Sequence, residues 1–236
     1  MSITTLIIVL YLFPLEFSGY RNSDLTAPVW YFITETGTIY GFLIIVLMMC
    51  VYLWNKKVFR TGKSIAVFFI AVVIFQLLLT AFTQLFLKNY VQRQRPNQQI
   101  LVNKGMSEKD RTLYFSMPGD KKSEFLQDKI NLNREKFEDI YPRTFENWIK
   151  DTSYSFPSGH SQLSFFAGTI FSFIILRTAS LKKKYLSVIP LIWALLVAVS
   201  RVVTGVHFPS DVIAGAFIGM ASGLILISIK KFNNIF

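Results

Sequence analysis

Charged residues are scarce in this chain, at 17% of its 236 residues against about a quarter in a typical soluble domain. Hydrophobic residues make up 52%, which excludes a disordered chain and argues against an ordinary soluble globule. Cysteine is almost missing: Cys50 stands alone in an apolar run, so no internal disulfide can form. These shortages predict an integral membrane protein.

Acidic residues are rarer than basic ones, 14 against 25, and they are unevenly placed. Ten of the acids and 13 of the bases lie in residues 88–156, which leaves 12 bases and four acids for the rest of the chain. Most of those 12 bases occupy short connections between apolar runs. This distribution is typical of a protein oriented in a lipid bilayer, and it lacks the basic stripe expected of a nucleic-acid-binding protein.

Six apolar runs approach the roughly 20 residues that a membrane-spanning helix needs. They are residues 3–17, 31–54, 64–87, 162–176, 185–203 and 212–229. We therefore predict an all-α fold, a six-helix transmembrane bundle that forms a single membrane domain over residues 1–236. The first run is short, and a cleaved signal peptide is the alternative for it.

Three short basic segments set the expected orientation. Residues 55–63 and 177–184 each contain four basic residues and no acid, and Lys230 and Lys231 follow the last run. The positive-inside rule places all three segments in the cytoplasm, with both chain ends. Residues 88–156 then form an extracytoplasmic insert between the third and fourth helices.

Part of this insert is expected to be helical, because apolar residues recur at loosely helical spacing in residues 124–150. They are Phe125, Leu126, Ile130, Phe137, Ile140, Tyr141, Phe145 and Trp148. One interpretation is a lid that packs its apolar stripe on the ends of the bundle. The other is a helix that dips into the outer leaflet and guides a lipid.

Ionisable residues near the ends of the runs are functional candidates, because they are costly at membrane depth. The predicted orientation brings six of them to the outer face: Lys88, Arg95, His160, Arg201, His207 and Asp211. The three cations suit a phosphate, since arginine binds it bidentately and lysine acts as a point charge. Pro157 places the start of a helix at Ser158 and Gly159, where backbone N–H groups favour an anion.

The two histidines are expected to differ in role. His207 and Asp211 are four residues apart and share one helix face. A carboxylate that binds one ring nitrogen makes the other a better nucleophile or base. His160 is then free to act as an acid and base for a leaving group and water.

Each feature has a simpler interpretation when taken alone. Lys88 and Arg95 could be boundary residues, Arg201 an anchor, and the pair of His207 and Asp211 a structural hydrogen bond. Two histidines and an aspartate could also suggest a metal site. No carboxylate or cysteine cluster accompanies them, and three cations would repel a divalent ion, so we expect no metal and no cofactor.

Two further acids have other expected roles. Glu35, within the second run, is expected to be bonded inside the bundle or at its outer rim. Asp151 precedes His160 by nine residues. It is expected to be a solvated loop acid, or alternatively to contact a headgroup or tune His160.

These residues resemble the signature of the type-2 phosphatidic acid phosphatase superfamily. That signature has three parts in order, and all three match without departure. They are Lys88, six residues, then Arg95-Pro96; Pro157-Ser158-Gly159-His160; and Ser200-Arg201, five residues, His207, three residues, Asp211. The six spans and the long insert are similar to its bacterial phosphatidylglycerophosphatase branch across nearly the whole chain.

The resemblance implies a membrane phosphatase for lipid phosphate monoesters or pyrophosphates, including phosphatidylglycerophosphate, phosphatidic acid and undecaprenyl pyrophosphate. It implies that His207 forms a phosphohistidine, that Asp211 orients His207, and that His160 protonates the leaving alkoxide and then activates water. The residues implied to hold the phosphate oxygens are Lys88, Arg95, Ser158, Gly159 and Arg201. No metal is required.

The expected setting is the bacterial inner membrane, with the site facing the periplasm or exterior. The expected partners are a lipid phosphate and the bilayer, and the oligomeric state is open. Three alternatives remain: a lipid phosphotransferase, an anion transporter and a non-catalytic lipid-phosphate binder. A transporter would need ionisable residues near the midplane, where these runs have almost none, and the intact His160, His207 and Asp211 argue against a mere binder.

Overall fold

The computed structural model describes residues 3–12, 20–21, 25–59 and 61–233, and over these residues the chain is helical. The β pairing among them is a single isolated bridge between Arg21 and Ile140. The α-helices are α1 (Ile3–Leu12), α2 (Ala27–Thr36), α3 (Ile39–Asn55), α4 (Gly62–Phe82), α5 (Asn89–Val91), α6 (Pro96–Gly105), α7 (Glu108–Ser116), α8 (Gly119–Asn131), α9 (Pro142–Lys150), α10 (Gly159–Thr178), α11 (Ile189–Val203), α12 (Pro209–Ser228) and α13 (Lys230–Asn233). A π-helical turn (Thr83–Lys88) joins α4 to α5, and 3-10 turns (Arg134–Phe137 and Leu181–Val188) precede α9 and α11. The predicted all-α class is confirmed.

Four helical stretches among the described residues are long and apolar enough to cross a membrane. They are Gly62–Val91, Gly159–Thr178, Leu181–Val203 and Pro209–Ser228. The pair of α2 and α3 provides a fifth if the two helices count as one span. The first predicted span, residues 3–17, is not seen at full length: α1 has ten residues, and residues 13–17 lie outside the described part of the chain. Arg60 of the first basic connection also lies outside it.

The second predicted span is bent by 62° between α2 and α3, at the polar residues 34–38 that interrupt the apolar run. Gly37 ends α2 and packs against α11, where a Cβ atom would collide with Val197. The Thr38 hydroxyl donates to the Glu35 carbonyl at 2.7 Å and helps to turn the chain. The bend therefore places polar side chains, rather than apolar ones, at the junction of the two helices.

Helix α10 lies at the centre of the bundle and packs against α12, α11, α3 and α4. Its contact with α12 is close, because Gly215, Gly219 and Gly223 lie along one side of α12 and a Cβ at Gly219 would collide with the Gln162 carbonyl. This contact brings the first turns of both helices together, and the Ser158 N–H donates to the Asp211 carbonyl at 2.9 Å. The polar ends of α10 and α12 thus meet at one end of the bundle.

Helix α1 also belongs to this bundle. Leu6 and Leu10 are buried against residues of α11 and α12. The described part of the first apolar run therefore packs on the same helices that carry Arg201 and Asp211.

The insert, residues 88–156, has a hydrophobic core of its own. Leu126, Ile130, Phe137 and Trp148 are buried there together with Val206 from the loop before α12. The Trp148 indole N–H donates to the Thr204 carbonyl at 3.0 Å and ties the insert to the end of α11. Because most of the predicted apolar stripe is buried within protein, the structure favours the lid interpretation over a helix that dips into lipid.

Candidate active site

Six ionisable residues predicted from the sequence lie at the same end of the bundle, although they come from distant parts of the chain. They are Lys88 at the end of the π-helical turn, Arg95 before α6, His160 in α10, Arg201 in the last turn of α11, and His207 and Asp211 around the start of α12. All except His160 are at most 5% exposed. Buried charges require compensating partners, so their contacts define how the site is held together.

Arg95 connects the bundle to the insert. Its Nη1 lies 3.2 Å from His207 Nε2, and its Nη2 lies 2.9 Å from Asp151 Oδ2. Its Nε donates to the Ser153 carbonyl at 2.7 Å. The Lys88 ammonium donates to the Ser153 hydroxyl at 3.5 Å. Asp151 is thus paired with Arg95, while its side chain remains 39% exposed to solvent.

The contact between Arg95 and His207 identifies the tautomer of His207. A guanidinium can only donate hydrogen bonds, so Nε2 of His207 accepts, and the proton of the neutral ring lies on Nδ1. Nδ1 faces Asp211 Oδ2 at 3.6 Å, which is longer than a normal N–H···O hydrogen bond. Among the described residues Nδ1 has no hydrogen-bond partner. The structure therefore brings His207 and Asp211 together as predicted, but the two side chains do not form a hydrogen bond.

The local electrostatics keep His207 neutral and Asp151 charged. Burial, followed by the charges of Arg95, Arg201 and Lys88, holds the pKa of His207 well below its usual range. Burial alone would raise the pKa of Asp151, but Arg95 and a hydrogen bond from Ser153 outweigh it, so that pKa is lowered. Near neutral pH the site thus combines fixed cations with a neutral imidazole whose Nε2 electron pair accepts a hydrogen bond from Arg95.

His160 lines a pocket of about 450 Å³, here called the polar pocket, together with Arg201, Glu35 and Asp151. No described residue hydrogen-bonds to the His160 ring, and the buried Nε of Arg201 also lacks a partner among the described residues. Arg201 makes one long side-chain hydrogen bond to a described residue, from Nη1 to the Thr34 hydroxyl at 3.5 Å. These unused groups can bind an oxyanion that enters the polar pocket.

Glu35 lies at the boundary between the polar pocket and a second cavity. This apolar groove, about 620 Å³ in volume, shares Glu35 and Thr38 with the polar pocket. Its other lining residues include Phe32, Tyr40, Ile44, Met48, Phe171 and Trp193. The Glu35 carboxylate accepts a hydrogen bond from Asn147 of the insert at 3.4 Å, in agreement with its expected place at the rim of the bundle.

A family model of the PAP2 superfamily matches residues 65–235, which include all three signature parts. The chain belongs to the PAP2 superfamily. The resemblance predicted from the ordered motifs is thereby confirmed. With its apolar helices and bacterial relatives, this PAP2 chain is a multi-pass membrane protein.

Several relatives of this PAP2 chain have names that describe an activity. Phosphatidylglycerophosphatase B of Haemophilus influenzae is 28% identical over 251 residues, covering 100% of this chain and 97% of the relative. Phosphatidylglycerophosphatase B of Bacillus subtilis is 33% identical over 92 residues, covering 38% of this chain and 44% of the relative. Undecaprenyl-diphosphatase of Sulfolobus acidocaldarius is 38% identical over 82 residues, covering 35% and 36%.

The second part of the PAP2 signature lies at the start of α10. Ser158 is fully buried, and its backbone N–H is already taken by the Asp211 carbonyl. Its hydroxyl accepts a hydrogen bond from Ser161 at 3.0 Å and still has a proton to donate. A Cβ at Gly159 would meet nothing within 4 Å, so open space lies beside this residue. Ser158 can therefore reach an anion through its hydroxyl and not through its own N–H group.

Arg93 is a site residue that the sequence analysis missed. It lies in the six-residue gap of the first PAP2 signature part, and its Nη1 is 2.9 Å from Asp211 Oδ1 and 2.6 Å from the Ser210 hydroxyl. Its guanidinium lies 4.0 Å from the Phe208 ring centroid. The sequence gives no signal for this role, because Arg93 meets Asp211 only through the folding of segments 118 residues apart.

Proposed function

We propose that this protein is a membrane phosphatase that hydrolyses lipid phosphate monoesters or pyrophosphates. The observation that carries the proposal is the contact of Arg95 with the Nε2 atom of a neutral His207, beside a pocket lined by His160 and Arg201. PAP2 membership and relatives named for phosphatidylglycerophosphate and undecaprenyl diphosphate support it. Phosphatidylglycerophosphate, phosphatidic acid and undecaprenyl pyrophosphate are the candidate substrates.

In the proposed reaction, His207 Nε2 attacks phosphorus in line and forms a phosphohistidine, while the bond to the lipid oxygen breaks. Protonated His160 gives its proton to the departing lipid group. Neutral His160 then takes a proton from water, which attacks the phosphohistidine and releases orthophosphate and His207. Asp211 lies where it can orient the Nδ1–H group and stabilise the positive charge that His207 gains.

The phosphate oxygens are held by Lys88, Arg95 and Arg201, with help from the Ser158 hydroxyl and the backbone at Gly159. Phosphoryl transfer depends mainly on positioning and on stabilising charge, which three fixed cations supply. An incoming phosphate takes over the Arg95 donor that His207 Nε2 accepts from in this structure. The same cations would repel a divalent ion, so the reaction proceeds without a metal.

The lipid is proposed to reach the site sideways from the membrane, with its chains in the apolar groove and its phosphate in the polar pocket. The two cavities share Glu35 and Thr38, which supports a continuous path. The complete chain forms one membrane domain of six spans in the bacterial inner membrane, with the first run as a full span. The insert and the site face the periplasm or exterior, because the basic connections lie at the opposite ends of the spans.

Phosphate release from the three candidate lipids in liposomes, with EDTA present, tests this function. We expect turnover of at least one lipid in EDTA and inhibition by vanadate, which mimics five-coordinate phosphorus. No release from any lipid phosphate, with the protein folded and inserted, would refute the proposal. Transfer of labelled phosphate to an added alcohol instead of water would identify a phosphotransferase, and equal turnover of short-chain substrates in detergent would argue against sideways access.

Arg93 is expected to be a positioning residue that holds Asp211 while the other carboxylate oxygen faces His207. Changing Arg93 to Gln removes one charge-assisted bond and should lower kcat roughly tenfold. The Asp211 charge, no longer shared with a guanidinium, should also favour protonated His207. Since neutral His207 is the nucleophile, the acid limb of the pH–rate profile should move to higher pH.

The pH profile separates this role from a merely structural one. Arg93→Lys keeps the charge and should restore part of the rate and return the acid limb toward its original pH. Arg177→Gln is a matched control, because Arg177 is exposed in the last turn of α10. A lower rate in Arg93→Gln with an unmoved acid limb would contradict the positioning role.

A further inference from the structure

A third cavity, of about 380 Å³, adjoins the cations of the site and is called the lysine pocket here. Its lining includes Gln84, Lys88, Asn89, Lys122, Thr152 and Ser153. The geometry points to a binding site for inorganic phosphate, through which the product of the reaction leaves toward water. This inference rests on the proposed phosphatase function, in which orthophosphate is the released product.

Lys88 connects the lysine pocket to the site. Its side chain is 5% exposed, and its one hydrogen bond to a described residue is the 3.5 Å contact with the Ser153 hydroxyl. An ammonium group has three donors, so Lys88 retains donors for an anion. Ser153 lines the same pocket and accepts a hydrogen bond from Arg95 Nη2 at 2.9 Å. The cation that would hold the transferred phosphate therefore also borders a second cavity.

Lys122 gives this pocket a second cation. It belongs to α8 of the insert, is half-buried, and its ammonium lies 5.4 Å from the centroid of the Tyr114 ring. The described lining residues include two lysines, hydroxyl groups and amides, and none of them is acidic. The lining is therefore positive overall and offers donors to an anion.

The polar pocket has a different charge balance. Its lining includes Glu35 and Asp151 beside its cations, and it continues into the apolar groove. A departing lipid alcohol is favoured there, because its chains already lie in that groove. A phosphate dianion is favoured in the lysine pocket, whose described lining has two lysines and no acid. Asp151 lies behind this lining, where it accepts the Ser153 hydroxyl proton at 2.7 Å and is paired with Arg95. The structure thus assigns the two products different exits, with Lys88 and Arg95 between them.

Replacing Lys122 by Gln or Glu tests the lysine pocket through product inhibition. The assay uses the full-length enzyme in liposomes at low ionic strength. The inhibition constant for orthophosphate should rise about two- to fivefold in Lys122→Gln, because one partly exposed charge is lost. It should rise further in Lys122→Glu, because the charge is reversed. The KM for the lipid should change less than twofold, because the lipid occupies the other pocket. The difference between variants should shrink as salt is added.

Lys121 provides the matched control. It precedes Lys122 in α8, is exposed and is not among the residues that line the pocket. Lys121→Gln and Lys121→Glu should leave the orthophosphate inhibition constant unchanged. An equal constant in wild type and Lys122→Glu, or an equal rise in the Lys121 variants, would overturn the proposal.

Direct binding separates a failure of this site from a failure of the proposed function. Equilibrium dialysis with labelled orthophosphate measures binding without any turnover. Weaker binding by Lys122→Glu than by Lys121→Glu supports the lysine pocket even if no lipid is hydrolysed. Equal binding by the two variants refutes the pocket even if the lipid is hydrolysed normally.

Discussion

Replacing His207 by Ala is expected to abolish phosphate release from lipid substrates, with a loss of several orders of magnitude. In the proposed mechanism no other side chain can form the bond to phosphorus. The ring is 1% exposed and its Nε2 lies 3.2 Å from Arg95, so water would have to replace a nucleophile that is already positioned. Release of orthophosphate from liposomes measures the effect.

Trapping the phosphoenzyme shows whether His207 is the residue that carries the phosphate. Wild-type protein quenched during turnover of labelled lipid phosphate should carry acid-labile phosphate, as expected of a phosphohistidine, and His207→Ala should carry none. Val203→Ala is a suitable control, because it removes buried side-chain volume from the end of α11 without touching the proposed machinery. Full activity of His207→Ala would end the assignment of this residue as the nucleophile.

The sequence predicted α10 and α12 well because hydropathy and local chemistry agree there. An apolar run follows Pro157 in one case and Pro209 in the other, and proline is favoured at or just before a helix start. The second run did not behave in this way. Residues 34–38 interrupt its hydropathy, but a break of this kind does not specify a bend. The close packing of Gly37 against Val197 of α11 is a tertiary contact that a one-dimensional pattern does not contain.

The same distinction applies to the candidate site. Arg95 and His207 could be proposed together because their spacing follows an ordered motif, and the structure brings them into contact. Arg93 has no such pattern, and its partner Asp211 is specified only by the folded arrangement. The sequence also could not show that Asp151 pairs with Arg95, because a single acid in a charged loop has many solvated alternatives. Motif spacing thus identifies the groups proposed for the chemistry, and the fold identifies the groups that hold them.

Replacing His160 by Ala is expected to separate the two halves of the reaction. The loss of a general acid should lower turnover of lipid substrates about 10²–10⁴-fold, because the lipid alkoxide is a poor leaving group without a proton. A substrate with a good leaving group, such as p-nitrophenyl phosphate, needs no acid for the first step. The variant should then release one nitrophenolate per enzyme in a burst and stop as a phosphoenzyme, since no base activates water for the second step.

The location of His160 explains why this variant should keep the first step. Its ring lines the polar pocket and has no hydrogen bond to a described residue, so its removal leaves the contacts of Arg95 and Arg201 in place. Ser164→Ala, a buried change further along α10, is the matched control and should behave as wild type with both substrates. Equal losses for the lipid and the nitrophenyl substrate, with no trapped phosphate, would instead mean that His160 holds the substrate and transfers no proton.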